Sequence, residues 1–204
     1  MSAFLLPEIG TWEEWRPLFT DVPTWRPVIE RVWAAGEQLR LATGIDKPRH
    51  IVAGYPGTCA VFIMDGRAVI KFFPPMITGD FFRESAVYAL IFDRVPYSSE
   101  LLGKGQFKDR IDWPYLVVRH LGGTAWRDCV DAIAPDVQRD ILFHLGRTIR
   151  AVHDIRIPVS GPWPSMSDWE TVASRSTVSG SELQSKTGLS QQVISEIEGL
   201  LAAT

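Results

Sequence analysis

The chain has 204 residues, 46 % of them hydrophobic and 22 % charged, the balance of a globular protein rather than a disordered one. A formal net charge of −3 excludes a general nucleic-acid binder, which needs a basic surface to neutralise phosphates, but not a local basic pocket for a nucleotide. No apolar run approaches the roughly 20 residues that cross a bilayer, and the opening MSAFLLPEIGTWEEW lacks the charged and apolar regions of a signal peptide, so the expectation is a cytoplasmic chain with no membrane contact.

In chain order, Thr11 and Glu14 predict a capping box starting a helix at Trp12 to Phe19. A second helix is expected from Thr24 to Thr43, because Trp25, Val28, Ile29, Val32, Trp33 and Leu39 recur at helical spacing and Gly44 follows as a C-terminal cap. Three strands rich in Val, Ile and Phe come next, His50 to Tyr55, Cys59 to Met64 and Arg67 to Phe73. Asp65-Gly66 joins the last two and favours a type I′ hairpin turn. A helix from about Asp80 to Asp93 follows the breaker PPMITG. Two further strands are expected at Glu100 to Phe107 and Ile111 to Leu121, with Lys108-Asp109-Arg110 turning between them.

Beyond Gly122-Gly123 the pattern is helical. Pro135 suits a first turn, and Val137, Ile141, Leu142, Leu145, Ile149 and Val152 line one face up to His153. Loops around a short helix at Asp168 to Ala173 are expected in the Ser-, Thr-, Gly- and Pro-rich stretch from Pro158 to Thr187. Ser190 then caps a last amphipathic helix carrying Val193, Ile194, Ile197 and Leu200. Cys59 and Cys129 have neither metal-ligand spacing nor a disulfide framework and read as reduced thiols.

Three features carry chemistry. Gly54-Tyr55-Pro56-Gly57-Thr58 lies between two predicted strands, and glycine there lets backbone approach a ligand closely, as a loop over phosphates requires. It is neither a P-loop nor a Rossmann fingerprint. Lys71 ends an apolar strand, where an ammonium needs an anionic partner, and alternation puts Val69 and Lys71 on one face and Ile70 and Phe72 on the other. Glu84 sits on the helix that follows, within Phe81-Phe82-Arg83-Glu84-Ser85, and a carboxylate there could aim the ammonium at phosphate oxygens. Singly, the three read as well as a hairpin turn, a solvated edge-strand lysine and a surface glutamate.

Their order says more. Glycine turn, hairpin, Val-Ile-Lys, helix with an internal Glu, two strands, and then Tyr115-Leu116-Val117-Val118-Arg119-His120-Leu121-Gly122-Gly123 resembles the N-terminal lobe of the protein-kinase-like fold, most closely its aminoglycoside phosphotransferase and choline kinase branch. The helix ending Leu145-Gly146-Arg147-Thr148-Ile149-Arg150-Ala151-Val152-His153 is similar to that family's long helix. The resemblance spans about Arg49 to Ile155. It implies an α+β fold: a helical extension at 1–47, a lobe at 48–121 with a five-stranded antiparallel sheet plus helix and a hinge at 118–123, and an incomplete helical lobe at 124–204.

By the same resemblance the chain would bind ATP or GTP, weakly at most. Gly54, Tyr55, Gly57 and Thr58 would cover the phosphates, Lys71 would contact them, and Glu84 would hold Lys71. Val118 would sit behind the base, with the Arg119 carbonyl and Leu121 N–H bonding its edge. Proline in the loop and the cationic Arg119-His120 pair at the hinge depart from the family's pattern.

The family's catalytic loop resembles HGDxxxxN, with an Asp that orients the acceptor and an Asn that binds magnesium, and a later Asp binds metal. No such loop occurs here, its expected place is just past Thr204, and the chain contains no asparagine. No residue is therefore assigned a catalytic or metal-binding role, magnesium would enter only in a completed enzyme, and the polypeptide alone is expected to be inactive. Asp154 reads as a helix end, Gly79-Asp80-Phe81 precedes the Glu84 helix and so lies in the wrong lobe for a metal-binding triplet, and His50, His120, His144 and His153 share no metal spacing. The nucleotide-binding part of a small-molecule phosphotransferase, needing a missing C-terminal lobe, is the leading expectation. The alternatives are a non-catalytic kinase-like module that binds a partner protein, and an unrelated α+β protein.

Overall fold

The computed structural model describes residues 4–8, 11–55, 57–158 and 160–163. The chain divides into two compact units, Met1–Pro162 and Trp163–Thr204. The helices expected at 168–173 and after Ser190 fall outside the described residues.

The first unit is an α+β assembly built on one antiparallel sheet. Its strands are β1 (Ile51–Ala53), β2 (Ala60–Met64), β3 (Ala68–Phe72), β4 (Leu101–Lys108) and β5 (Asp112–Arg119), in the spatial order β1-β2-β3-β5-β4. The β2–β3 hairpin closes at Asp65 and Gly66, whose φ values of 49° and 64° are the pair of left-handed residues a type I′ turn demands. The Asp65 carboxylate also accepts from the His50 N–H at 2.7 Å, fastening the start of β1 to this turn.

Each strand of the hairpin alternates. In β3, Ala68, Ile70 and Phe72 are fully buried while Val69 and Lys71 are half-buried. The first set faces the N-terminal helices α1 (Trp12–Trp15), α2 (Val22–Ala35) and α3 (Glu37–Thr43). Trp25 is the centre of that interface, with its ring 4.8 Å from Phe72, 5.9 Å from Phe62 and 5.2 Å from Trp113. Its indole N–H is satisfied by the Leu18 carbonyl at 2.8 Å, so the large apolar body is buried without orphaning a donor. The opening residues are fixed too: the Leu5 and Leu6 N–H groups donate to the Asp109 carboxylate at 3.1 and 2.9 Å, across the β4–β5 turn.

Two helical expectations need correction. The segment from Thr24 to Thr43 is not one helix: it begins at Val22 and breaks at Gly36, whose φ of −101° and ψ of 79° are non-helical. The expected C-cap holds, since Gly44 adopts φ 66° and donates to the Arg40 carbonyl at 2.9 Å. The helix expected over Trp12 to Phe19 is α only to Trp15 and continues as a 3₁₀ segment, Arg16–Thr20, in which Pro17 lacks a backbone donor. Its capping box is complete, with Thr11 N–H donating to Glu14 Oε2 at 3.1 Å and Glu14 N–H to Thr11 Oγ1 at 3.4 Å.

The second sheet face carries α4 (Thr78–Ile91). Phe73 and Leu116 are buried against Phe81 and Tyr88 of this helix. After β5 come a four-residue helix α5 (Trp126–Cys129), which the periodicity did not predict, and the 19-residue α6 (Pro135–His153). Pro135 opens α6 and Asp154 caps it, as expected from the sequence. No residue of α6 is buried. Among the described residues no helix is long and apolar enough to cross a membrane.

Candidate functional site: a lysine–carboxylate pair beside the glycine turn

The pairing of β2 with β3 puts Lys71 opposite Val61, and the β3–β5 pairing puts it opposite Leu116, so its side chain leaves the sheet toward α4. There the Nζ lies 2.5 Å from Glu84 Oε2. The two side chains keep 28 % and 27 % of their accessibility, buried enough to be ordered and open enough to meet a ligand. The ammonium also stands 4.8 Å from the centroid of the Phe73 ring, which offers its negative face to the cation. The partner that an ammonium on an apolar strand requires is thus the carboxylate singled out in the sequence.

The pair lines a cavity of about 350 Å³. Thr58 and Cys59, at the end of the glycine turn, form one wall, and Arg83, Glu84 and Val87 of α4 form another. Cys59 and Cys129 are free thiols. Burial pushes the Cys59 thiol up, partly offset by the Lys71 charge, so it stays protonated and unreactive near neutral pH.

The turn itself is shaped at Gly54. Its N–H donates to the Val61 carbonyl at 2.8 Å, and a Cβ there would fall 2.9 Å from Val61 Cγ1, so glycine permits the close approach of β1 to β2. A Cβ at Gly57 would meet nothing within 4 Å, and Pro56 lies outside the described residues. Tyr55 is exposed rather than folded over the cavity: its hydroxyl donates to Asp128 Oδ2, and Arg127 Cζ lies 3.9 Å from its ring centroid. A tyrosine of the turn is therefore clasped by α5, which follows the end of β5. The hydrogen bond to Asp128, followed by burial, raises the Tyr55 pKa above its ordinary value.

At the end of β5, Val118 is half-buried opposite Val69. Arg119 is held on the β4 side: its N–H donates to the Glu100 carbonyl at 2.9 Å, its carbonyl accepts from Ser99 Oγ at 2.5 Å, and its guanidinium pairs with the Glu100 carboxylate. One lone pair of the carbonyl proposed for a nucleobase is therefore in use, leaving a second. The cationic side chain that departed from the family pattern is accounted for by Glu100. His120 hydrogen-bonds the β2–β3 turn, N–H to the Arg67 carbonyl at 2.9 Å and Nδ1 to the Gly66 carbonyl at 3.1 Å. Leu121 is half exposed.

Sequence reading missed Arg83, Ser99, Arg127 and Asp128, none of which lies in a run whose composition marks it. Only the helical offset of Arg83 from Val87 placed it on the stripe that faces Lys71. Among the described residues no group of three or more His, Cys, Asp or Glu could hold a metal. No family model matches the chain.

Proposed function

We propose that this chain is the nucleotide-binding portion of an ATP- or GTP-dependent small-molecule phosphotransferase with a protein-kinase-like N-terminal lobe. The observation that carries the reading is the 2.5 Å contact of Lys71 with Glu84 beside the glycine turn. It sits on a five-stranded antiparallel sheet with one helix between the third and fourth strands. A fixed ammonium beside a cavity suits phosphate oxygens, and its carboxylate partner holds the direction of the charge. Val118, Arg119 and Leu121 are the proposed base contacts.

The 204 residues by themselves supply no asparagine and no HGDxxxxN loop. With neither a metal clamp for the developing charge nor an acceptor-orienting Asp, they are expected to bind nucleotide weakly and to transfer no phosphoryl group. Magnesium and a small-molecule acceptor belong to the completed enzyme.

The test is nucleotide binding by the wild type and by Lys71→Ala, followed by heteronuclear NMR with ATP and GTP. Shifts centred on Thr58, Lys71 and Glu84 that vanish in the variant support the reading. Binding that is indifferent to Lys71 sinks it. Mixing the chain with a folded companion polypeptide that carries HGDxxxxN should restore turnover.

A second reading, a non-catalytic module that binds a partner protein, draws support from α6, whose large apolar residues from Val137 to Val152 are all exposed.

A further inference from the structure

Asp80, Arg83, Glu84 and Val87 recur at i, i+3, i+4 and i+7 on α4 and all border the cavity that holds Lys71. One stripe of the helix therefore faces that space. It brings a second cation, Arg83, to the cavity, and a second carboxylate, Asp80. The four formal charges cancel, Lys71 and Arg83 against Glu84 and Asp80, so the cavity is neutral although it holds two strong hydrogen-bond donors.

The two pairs differ in how firmly they are held. Lys71 and Glu84 meet between a strand and a helix, both about three-quarters covered. Arg83 Nη1 and Asp80 Oδ1 lie 2.9 Å apart on successive turns of one helix, each side chain 52 % exposed. An exposed pair at that spacing is weak and screened by salt. Arg83 is thus free to exchange its partner at little cost, whereas Lys71 is set in place.

We propose that Arg83 is a second phosphate-binding residue: it leaves Asp80 for the terminal part of a nucleoside triphosphate tail whose inner phosphates Lys71 holds. The inference rests on the nucleotide reading of the cavity and deepens it. A single ammonium is a point charge and cannot neutralise a triphosphate, while a planar guanidinium spans two oxygens of one phosphate. Asp80 then has a definite role: it holds Arg83 and competes with the ligand for it. Thr58, on the opposite wall, adds a neutral hydroxyl donor.

The test is an NMR titration of the full chain with ATP, GTP and AMP, comparing wild type with Arg83→Ala, Arg83→Lys, Asp80→Asn and Asp80→Asn/Arg83→Ala. Arg83→Ala should weaken the triphosphates about twofold to fivefold, the scale of one exposed charged contact, and leave AMP nearly unchanged. Arg83→Lys should retain part of the loss-sensitive affinity. Asp80→Asn should tighten triphosphate binding, and that gain should shrink in the double variant, which distinguishes release of Arg83 from mere removal of a negative charge. Thermal unfolding of each variant checks that the fold is kept. Triphosphate binding that needs Lys71 but ignores Arg83, or an Asp80→Asn gain that survives without Arg83, overturns the inference alone. A wild-type chain that binds none of the three nucleotides overturns the nucleotide reading and this inference with it.

Discussion

Lys104 Nζ donates to Ser85 Oγ at 2.9 Å, one helix position beyond the carboxylate that meets Lys71. Lysines from β3 and β4 therefore grip adjacent residues of α4, and the second contact fixes the rotation of the helix that aims Glu84. Ser85 is 5 % exposed, so its hydroxyl has given up water for this partner. Ser85→Ala should destabilise the chain by about 0.5–1.5 kcal/mol, the net value of such a hydrogen bond. A double-mutant cycle with Lys104→Ala in urea should return a coupling of that order. Additive losses would mean that the contact does not hold the helix.

The Lys71–Glu84 pair invites a charge exchange. Each partner keeps over a quarter of its accessibility, so solvent screening limits the pair's contribution to about 0.2–1 kcal/mol. Lys71→Glu and Glu84→Lys should each lower stability, by like-charge repulsion as well as lost attraction, and the double exchange should recover most of it. The proposed nucleotide binding should not recover, because the ammonium would then project from α4 instead of β3. Recovery of both properties would show that only the local net charge matters.

How far the sequence anticipated this arrangement depends on the range of the signals. The β2–β3 hairpin was legible because Asp65-Gly66 demands one turn type and β3 alternates at period two. The facing of Lys71 away from Ile70 and Phe72 followed directly. The Gly36 break was not, since helical spacing continues through it and a lone glycine weakens a helix without always ending it. The α4 residues beside the cavity were only partly readable. Glu84 stood out by its place after the lysine strand, while Arg83 and Asp80 look like any exposed i, i+3 pair until the helix is docked. The clasp of Tyr55 by Asp128 spans 73 positions and joins a turn to the four-residue helix α5, which is too short to show a periodicity.

That clasp makes a pH-dependent prediction. The hydrogen bond to Asp128 favours the protonated phenol, so the folded-state pKa lies above the ordinary 10.0. A raised pKa means that the contact is fully present below the unfolded value and is lost as pH climbs through the folded one. Tyr88 and Tyr115 are also pushed up, in both cases chiefly by burial, so absolute titration curves overlap. The difference between wild type and Asp128→Ala, followed by absorbance near 295 nm, should isolate one phenol that ionises earlier in the variant. Hydrogen exchange at Gly57 and Thr58 should be quicker in the same variant wherever the phenol is protonated in the wild type, and the two should converge only above the raised folded-state pKa of Tyr55. An unchanged difference spectrum would show that Tyr55 is not held by Asp128 in solution.

Helix α6 supplies a contrast with the packed N-terminal helices. Ile141, Leu142, Leu145 and Ile149 lie on one face and retain 38 %, 54 %, 50 % and 47 % of their accessibility. Leucine truncation in a core costs roughly 2–5 kcal/mol, whereas a substitution at an exposed position changes stability by about 0.5 kcal/mol or less. Leu142→Gln and Leu145→Gln keep helix propensity nearly constant, so together they should leave the urea midpoint almost unmoved. The same change removes apolar surface from a contiguous stripe, and sedimentation velocity at rising concentration should show less self-association than in the wild type. A loss of several kcal/mol in the double variant would mean that these leucines are buried in the folded chain, and the exposed stripe would then not exist.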